Sequence, residues 1–233
     1  MPGLKQLTSR VHAQGCKIAA QLNHSGKVAQ EDTAAGRPML VPSVPTRKRG
    51  DMFDSLTHAE INNFVRAAGP DGKGPTYKVM DKVDIDWVIA KFVAASRRTV
   101  DAGFDAIELH AGHGYLISSF LSPHSNHRDD EYGGSVGNRA RLLLEIIAAI
   151  KAEIGSDFPI ICRLDAHEFR IDDGIRISDT IAVAKLLEAA GCHALDVSAY
   201  ADVSVGIAFT EGPLVHKPGG YIDYAAALKA AVS

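Results

Sequence analysis

Cysteine is scarce in this 233-residue chain, and its distribution excludes a disulfide-rich domain. The three cysteines, Cys16, Cys162 and Cys192, are far apart in the sequence, and each lies in an apolar stretch. An odd number of widely spaced thiols gives no disulfide framework, and no Cys-x-x-Cys pair is present to bind a metal ion. Such cysteine usage is typical of proteins from a reducing compartment.

The sequence also lacks an excess of charge of one sign and a long apolar run. Its 25 Lys and Arg residues nearly balance 28 Asp and Glu residues, which gives a net charge of −3. The one basic cluster, at 47–49, is too short for a nucleic-acid-binding arm. The apolar stretches are shorter than the roughly 20 residues that span a membrane, and no apolar leader follows Met1. We therefore expect a cytoplasmic protein with neither nucleic-acid nor membrane partners.

What the chain does contain is a repeated alternation between helical and extended hydrophobic patterns. Four short apolar runs predict buried strands, and amphipathic stretches between and around them predict helices. The predicted strands are 17–22, 104–110, 159–164 and 194–198. The predicted helices are 4–15, 84–102, 138–153, 178–190 with Ser178 as its N-cap, and 221–232, and a capping box at 57–60 predicts a further short helix.

Strands that alternate with helices favour a parallel α/β sheet. No Gly-x-Gly-x-x-Gly segment opens a helix, which weakens the case for a dinucleotide-binding fold. Polar side chains instead follow the predicted strands, at the edge where a (β/α)8 barrel of TIM type has its active site. These side chains are Gln21, Asn23, His110, His113, Arg163, Asp165 and Ser198. A long irregular excursion at about 23–82 leaves room for only four strands, so either a truncated barrel or an open sheet is predicted.

Several motifs then favour the truncated barrel over the open sheet. Residues His110–Leu116 read HAGHGYL, Phe120–Pro123 read FLSP, and Asp130–Ser135 read DEYGGS before Asn138 and Arg139. These motifs resemble the Old Yellow Enzyme family of FMN-dependent oxidoreductases, in particular its NADH:flavin oxidoreductase and 2,4-dienoyl-CoA reductase branch. QLNHSGK at Gln21–Lys27 is similar to the family's Gln-Leu-x-His-x-Gly-Arg segment. The sequence departs from the family pattern at Lys27 and at 136–137, where Val-Gly replaces Leu-Glu.

The resemblance implies an incomplete FMN-binding (β/α)8 barrel over residues 1–233. About strands three to six have counterparts here, whereas strands one, two, seven and eight do not. In the family, the loops after strands seven and eight hold the flavin phosphate. The implied cofactor is FMN, with NADH or NADPH as the electron donor. The implied reaction passes hydride through the flavin to an α,β-unsaturated carbonyl compound or an enoyl thioester.

The resemblance also assigns roles to five residues. Gln21, His110 and Arg163 would contact the flavin, and the guanidinium of Arg163 suits negative charge on the flavin's N1 and O2 edge. His110 and His113 would donate hydrogen bonds to the substrate carbonyl oxygen, and Tyr115 would protonate the α-carbon. No metal ligand is assigned.

Four other interpretations remain open. Arg163 could form an ion pair with Asp165 or Glu168, and Tyr115 could be an ordinary half-buried tyrosine. Two His-x-x-His pairs, at 110–113 and 124–127, could bind a metal ion in a metallohydrolase. The chain could also be a catalytically inactive half-barrel that forms homo-oligomers or pairs with a partner through open strand edges.

Overall fold

The computed structural model describes residues 1–45, 57, 70, 72, 74–169, 171–200 and 219–233, and within them helices and strands alternate as the hydrophobic patterns predict. The strands are β1 (Ala19–Leu22), β2 (Met39–Val41), β3 (Tyr77–Val79), β4 (Ala106–Ala111), β5 (Ile160–Glu168) and β6 (Ala194–Tyr200). The α-helices are α1 (Pro2–His12), α2 (Gln30–Ala34), α3 (Lys82–Asp101), α4 (Leu116–Leu121), α5 (Val136–Ile154), α6 (Ile177–Ala189) and α7 (Ile222–Lys229), and Gly26–Val28 form a 3-10 helix.

The main sheet contains four strands in the order β1-β4-β5-β6, and every neighbouring pair is parallel. The connections between them run through α3, α5 and α6, which is the βαβ pattern. The predicted parallel α/β sheet of four strands is therefore confirmed. In this arrangement all four carboxyl ends lie at the same edge of the sheet, where parallel α/β folds place their functional residues.

The core lies between one face of this sheet and the helices. Ile107 and Leu109 of β4 and Ile160 of β5 are fully buried there. They belong to the same hydrophobic cluster as Leu142 and Ile146 of α5. Because side chains alternate along a strand, the other face of β4 and β5 carries the residues between these positions.

Local sequence signals account for the two longest helices. Asp81 caps α3, since its carboxylate accepts a hydrogen bond from Asp84 N at 2.9 Å, and the Asp84 carboxylate accepts one from Asp81 N at 3.1 Å. Ser135 caps α5 by accepting from Asn138 N at 3.2 Å. Gly103 and Gly155 follow the two helices with positive φ values of 85° and 94°, which end a helix without the steric cost of a side chain.

Several predicted elements begin or end at other residues in the structure, and two of these differences bear on the site. The N-cap of α6 is Arg176 rather than Ser178, because the Asp179 carboxylate accepts a hydrogen bond from Arg176 N at 3.0 Å and starts the helix earlier. Strand β5 continues to Glu168, beyond the predicted end at 164. Asp165, which lies after the predicted end of the strand, is thus inside β5, as is Arg163.

The excursion at 23–82 contains regular structure that the sequence did not predict. Strands β2 and β3 pair in parallel as a separate two-stranded sheet. Arg128 holds this small sheet to the rest of the fold, since its Nη1 donates to Met80 O at 2.7 Å and to Pro42 O at 3.3 Å. Of the helix predicted at 57–60, only Thr57 is described, so that prediction lies outside the described residues.

Candidate active site

One face of the main sheet is polar towards its carboxyl edge. The strand register places Gln21 opposite Glu108, His110 opposite Arg163, and Arg163 opposite Asp196. Asp165 lies opposite Ser198 at the next level along the strands. These residues alternate with the buried apolar ones that face the helices. The polar face is therefore the side of the sheet away from the helices, which in a barrel is the interior.

His110, His113 and Tyr115 meet where β4 ends. The centroid of the His110 ring lies 4.9 Å from that of His113 and 4.9 Å from that of Tyr115, both in edge-on arrangements. The two histidines are 5% and 6% exposed, whereas Tyr115 is half-buried. The structure thus brings together the three residues to which the family resemblance gives a catalytic role.

The turn that joins β4 to α4 produces this meeting. His113 adopts a φ of 60°, in the left-handed region that few residues other than glycine occupy. Asp165 holds the turn, because its Oδ2 accepts hydrogen bonds from His113 N at 2.6 Å and from Ser118 Oγ at 3.1 Å. At Gly112, a Cβ atom would lie 2.8 Å from Asp165 Oδ1, so only glycine fits between the turn and this carboxyl group.

The QLNHSGK segment packs against the same turn. The carbonyl oxygen of His24 accepts a hydrogen bond from Leu116 N at 3.0 Å, at the start of α4. Gly26 has a φ of 55°, and a Cβ atom there would lie 2.8 Å from Leu116 N. Gly26 is therefore needed for the close approach of this segment to α4. This contact brings the QLNHSGK and HAGHGYL motifs together at one site.

His113 is neutral at pH 7. Burial, and next the positive charge of Arg163, lower its pKa to about 4. Its Nε2 lies 2.6 Å from Ser198 Oγ, within hydrogen-bonding distance. A neutral imidazole has one N–H donor and one acceptor nitrogen, so it can donate a hydrogen bond without carrying charge.

Asp165 holds the turn after β4, and this role could not be assigned from the sequence. Its side chain is inaccessible to solvent, and burial, with the nearby Glu168 carboxyl group adding to it, raises its pKa to about 8 despite hydrogen bonds from His113 N and Ser118. Asp165 is therefore protonated at pH 7. Oδ1 has no hydrogen-bond partner among the described residues, and burying an ionised oxygen without a partner costs more than burying a neutral one. The sequence does show that Asp165 follows Arg163 by two residues, which places both side chains on the same face of a strand.

Arg163 does form a salt bridge, but not with the partner expected from the sequence. Its Nε lies 3.1 Å from Asp196 Oδ2 on the neighbouring strand, rather than beside Asp165 or Glu168. The reason is the register of β5 and β6, which no single-strand pattern reveals. About 33% of the Arg163 side chain remains exposed, so the guanidinium is accessible from the polar face.

Gln21 lies on the same face, at the other side of His110. Its Nε2 donates a hydrogen bond to the Glu108 carboxylate, which is the residue opposite it in the register. Gln21 itself is exposed. All five predicted site residues therefore share one face and one edge of the sheet, with Gln21 and Arg163 on strands that flank β4.

The second His-x-x-His pair lies apart from this cluster. His124 Nδ1 lies 2.8 Å from Asp173 Oδ1, and His127 uses its main-chain N–H to bond Ser43 Oγ at 2.9 Å. Within the ranges that the structure describes, no three His, Cys, Asp or Glu side chains are grouped to hold a metal ion. Nor is any described helix both long and apolar enough to cross a membrane.

Comparisons with known proteins bear on the family and the fold of this chain. The sequence profile of the NADH:flavin oxidoreductase / NADH oxidase family matches residues 1–217. An NADH oxidase from Thermoanaerobacter brockii is 38% identical over 200 residues, which are 85% of this chain and 27% of that protein. The structure of a 2-naphthoyl-CoA reductase in complex with 2-naphthoyl-CoA is 26% identical with a TM-score of 0.76, over 99% of this chain and 33% of that one. An Old Yellow Enzyme from Pichia sp. has a TM-score of 0.64 and 26% identity, over 83% of this chain and 50% of that one.

This chain spans between about a quarter and a half of the length of these three proteins. The similarity to the two solved structures confirms the predicted fold, part of a barrel of the Old Yellow Enzyme type. The profile match covers nearly all of the sequence, including every predicted site residue. The chain belongs to the NADH:flavin oxidoreductase / NADH oxidase family.

Proposed function

We propose that residues 1–233 form part of the FMN-binding barrel of an NAD(P)H-dependent ene-reductase. The observation that carries this proposal is the contact of His110, His113 and Tyr115 beside Arg163, on the polar face of a parallel sheet and at its carboxyl edge. Two hydrogen-bond donors, a phenol and a cation are the groups needed to bind a flavin and activate an unsaturated carbonyl compound.

The residues present suit FMN by their chemistry. Gln21 offers both a donor and an acceptor, and Arg163 offers a permanent positive charge with a planar set of N–H donors. Asp196 neutralises part of that charge in the free protein. Gln21, His110 and Arg163 would hold the flavin, which when bound supplies hydride transfer from NAD(P)H to the substrate.

His110 and His113 would bind the substrate carbonyl oxygen. Because His113 is neutral, it binds the oxygen by donating a hydrogen bond rather than by transferring a proton. This interaction withdraws electrons from the β-carbon, which then accepts the hydride more readily. The phenol of Tyr115, one residue before α4 and in contact with His110, would supply the proton to the α-carbon.

The substrate class follows from the same groups. Two imidazoles next to a phenol suit an enone or an enoyl thioester, since both present a carbonyl oxygen conjugated to a carbon–carbon double bond. The related 2-naphthoyl-CoA reductase, whose structure is a complex with 2-naphthoyl-CoA, supports the thioester as the more specific choice.

The first experiment tests flavin binding by the chain itself. Purified protein is titrated with FMN under anaerobic conditions while the flavin absorbance and fluorescence are recorded, and NADH or NADPH is then added. We expect a perturbed flavin spectrum and bleaching by one of the two donors. A chain that associates in light scattering yet leaves the FMN spectrum unchanged would instead support an inactive half-barrel that serves as an assembly partner.

The second experiment tests the role of Tyr115. In the flavin-loaded chain, Tyr115→Phe should leave reduction by NAD(P)H unchanged, because that step needs no phenol. Reoxidation by an enone or enoyl thioester should slow by about 10²–10⁴-fold, the usual contribution of a general acid. Tyr77→Phe on β3 is the matched control and should affect neither step. Equal slowing of both steps by Tyr115→Phe would remove Tyr115 from this role.

A further inference from the structure

Ser198 lies against the ring of His113 in the interior of the protein. It belongs to β6, where the register places it opposite Asp165 of β5. Its Oγ lies 2.6 Å from His113 Nε2. Both residues are nearly inaccessible to solvent, with exposed fractions of 4% for Ser198 and 6% for His113. Strand β6 thus places one hydroxyl group against one particular nitrogen of the imidazole.

The main chain of His113 is held separately from its ring. His113 N donates to Asp165 Oδ2 at 2.6 Å, in the turn where His113 has a φ of 60°. The other carboxyl oxygen, Asp165 Oδ1, lies 3.8 Å from His113 Nε2, which is too far for a hydrogen bond. Of these two neighbours, Ser198 is therefore the one that binds the ring, whereas Asp165 binds the backbone.

The hydrogen bond between Ser198 and His113 has two possible directions. Either Nε2–H donates to Ser198 Oγ, or the Ser198 hydroxyl group donates to an unprotonated Nε2. Among the residues that the structure describes, Ser198 Oγ has His113 Nε2 as its one hydrogen-bond partner. In the first direction the buried hydroxyl proton would have no acceptor among them, which is unfavourable. The second direction uses that proton and is therefore favoured.

The charges near Nε2 favour the same direction. Burial raises the pKa of Asp165 to about 8, so at pH 7 this carboxyl group does not present a negative charge that would hold a proton on Nε2. Burial, and next the positive charge of Arg163, lower the pKa of His113 to about 4, against an opposing effect of Asp196. The ring is therefore neutral at pH 7 and carries one proton.

We propose that Ser198 is a positioning residue, which donates its hydroxyl proton to His113 Nε2 and thereby fixes the ring as the Nδ1–H tautomer. The partner of one ring nitrogen commonly determines which nitrogen is protonated in this way. His113 can then donate a hydrogen bond only through Nδ1. The catalytic consequence rests on the function proposed above: the hydrogen bond from His113 to the substrate carbonyl oxygen would come from Nδ1–H, and Ser198 would act through His113 without contacting the substrate.

The tautomer can be measured in the chain without flavin or substrate. In protein labelled with nitrogen-15 histidine, the protonated and unprotonated nitrogens of a neutral imidazole have clearly different chemical shifts. At pH 7 we expect a proton on Nδ1 of His113 and none on Nε2. The His113 signals are those that disappear in His113→Gln. They are also expected to remain those of a neutral ring at about pH 5, because the pKa of His113 is about 4.

Ser198→Ala removes the hydroxyl group that sets the tautomer. The two His113 nitrogen signals should then move towards each other, as both tautomers become populated. Ser96→Ala is the matched control, since it removes another buried hydroxyl group, on α3, that donates to Val93 O, and it should leave the His113 signals in place. An Nε2–H tautomer in the wild-type chain would overturn the proposal, as would His113 signals that Ser198→Ala does not move.

A kinetic measurement separates this inference from the proposed function. In the flavin-loaded chain, Ser198→Ala should slow reoxidation by an enone by up to about 10²–10³-fold, the cost of losing one hydrogen-bond donor to a developing negative charge. An unchanged rate would contradict the role of Nδ1–H in the reaction. A chain that binds no FMN would contradict the proposed function, whereas the measured tautomer would still decide whether Ser198 positions His113.

Discussion

Replacement of Asp165 by Asn should change how the stability of the chain depends on pH. The pKa of this carboxyl group is raised from 3.8 to about 8 in the folded state because it is buried. Between these two values the folded chain keeps a proton that the unfolded chain has released. Stability that depends on such a group is complete below the unfolded pKa and is lost as the pH rises through the folded pKa.

The size of the change in the free energy of unfolding follows from the size of the pKa shift of Asp165. Each unit of pKa difference corresponds to about 1.4 kcal/mol. Between pH 5 and pH 8 the wild-type free energy of unfolding should therefore fall by roughly 3–4 kcal/mol through Asp165 alone. In Asp165→Asn this component disappears, because the amide has no proton to release, while its oxygen can still accept from His113 N and Ser118.

Urea denaturation of both proteins at half-unit steps from pH 5 to pH 8 measures this difference. The gap between the two curves should grow with pH in favour of the variant, at up to about 1.4 kcal/mol for each pH unit. Contributions from groups that do not interact with Asp165 are common to both proteins and cancel in the difference. Asp101→Asn, at an exposed position at the end of α3, is the control and should run parallel to the wild type. Parallel curves for Asp165→Asn would refute the reasoning.

Three smaller predictions can be checked by the midpoint of the same denaturation curve at a single pH. Gly114→Ala should destabilise the fold by about 1–3 kcal/mol, because its φ is 69° and a Cβ atom would lie 2.6 Å from Tyr200 Oη. Gly137→Ala should stabilise it by about 0.5–1 kcal/mol, since the second residue of α5 has open space around it and alanine favours the helix. Asp81→Ala removes the capping box of α3 and should cost about 1 kcal/mol. No change, or the opposite sign, at any of these positions would contradict the corresponding argument.

Much of the architecture was predictable because each element carries a local signal. The hydrophobic stripes of α3 and α5 locate these two helices, and Gly103 marks the end of α3. The apolar runs of β4, β5 and β6 locate the strands. The HAGHGYL motif also indicated that His110, His113 and Tyr115 lie close together, because the side chains of a short turn stay near the end of the strand that precedes it.

The features that could not be predicted all depend on pairing between distant segments. The partner of Arg163 is set by the register of β5 against β6, and a shift of that register would place Asp196 elsewhere. The pairing of β2 with β3 joins segments separated by a long irregular stretch, with only three residues in each strand. The predicted ends of β5 and β6 come too early because the last residues of both strands face a polar interior. There the alternation of polar and apolar side chains no longer distinguishes a strand from a loop.

Two buried carboxyl groups of β5 determine where Tyr115 lies, although neither is hydrogen-bonded to it. Asp165 binds Ser118 in the first turn of α4, and Glu168 accepts a hydrogen bond from Ser122 at 2.6 Å, directly after that helix ends. A register shift in β5 between the two carboxyl groups lets one strand reach both ends of α4. Burial raises the pKa of both groups. A carboxyl group with the pKa of Asp165 can therefore hold α4, and the phenol just before it, with little negative charge beside the site proposed for a flavin.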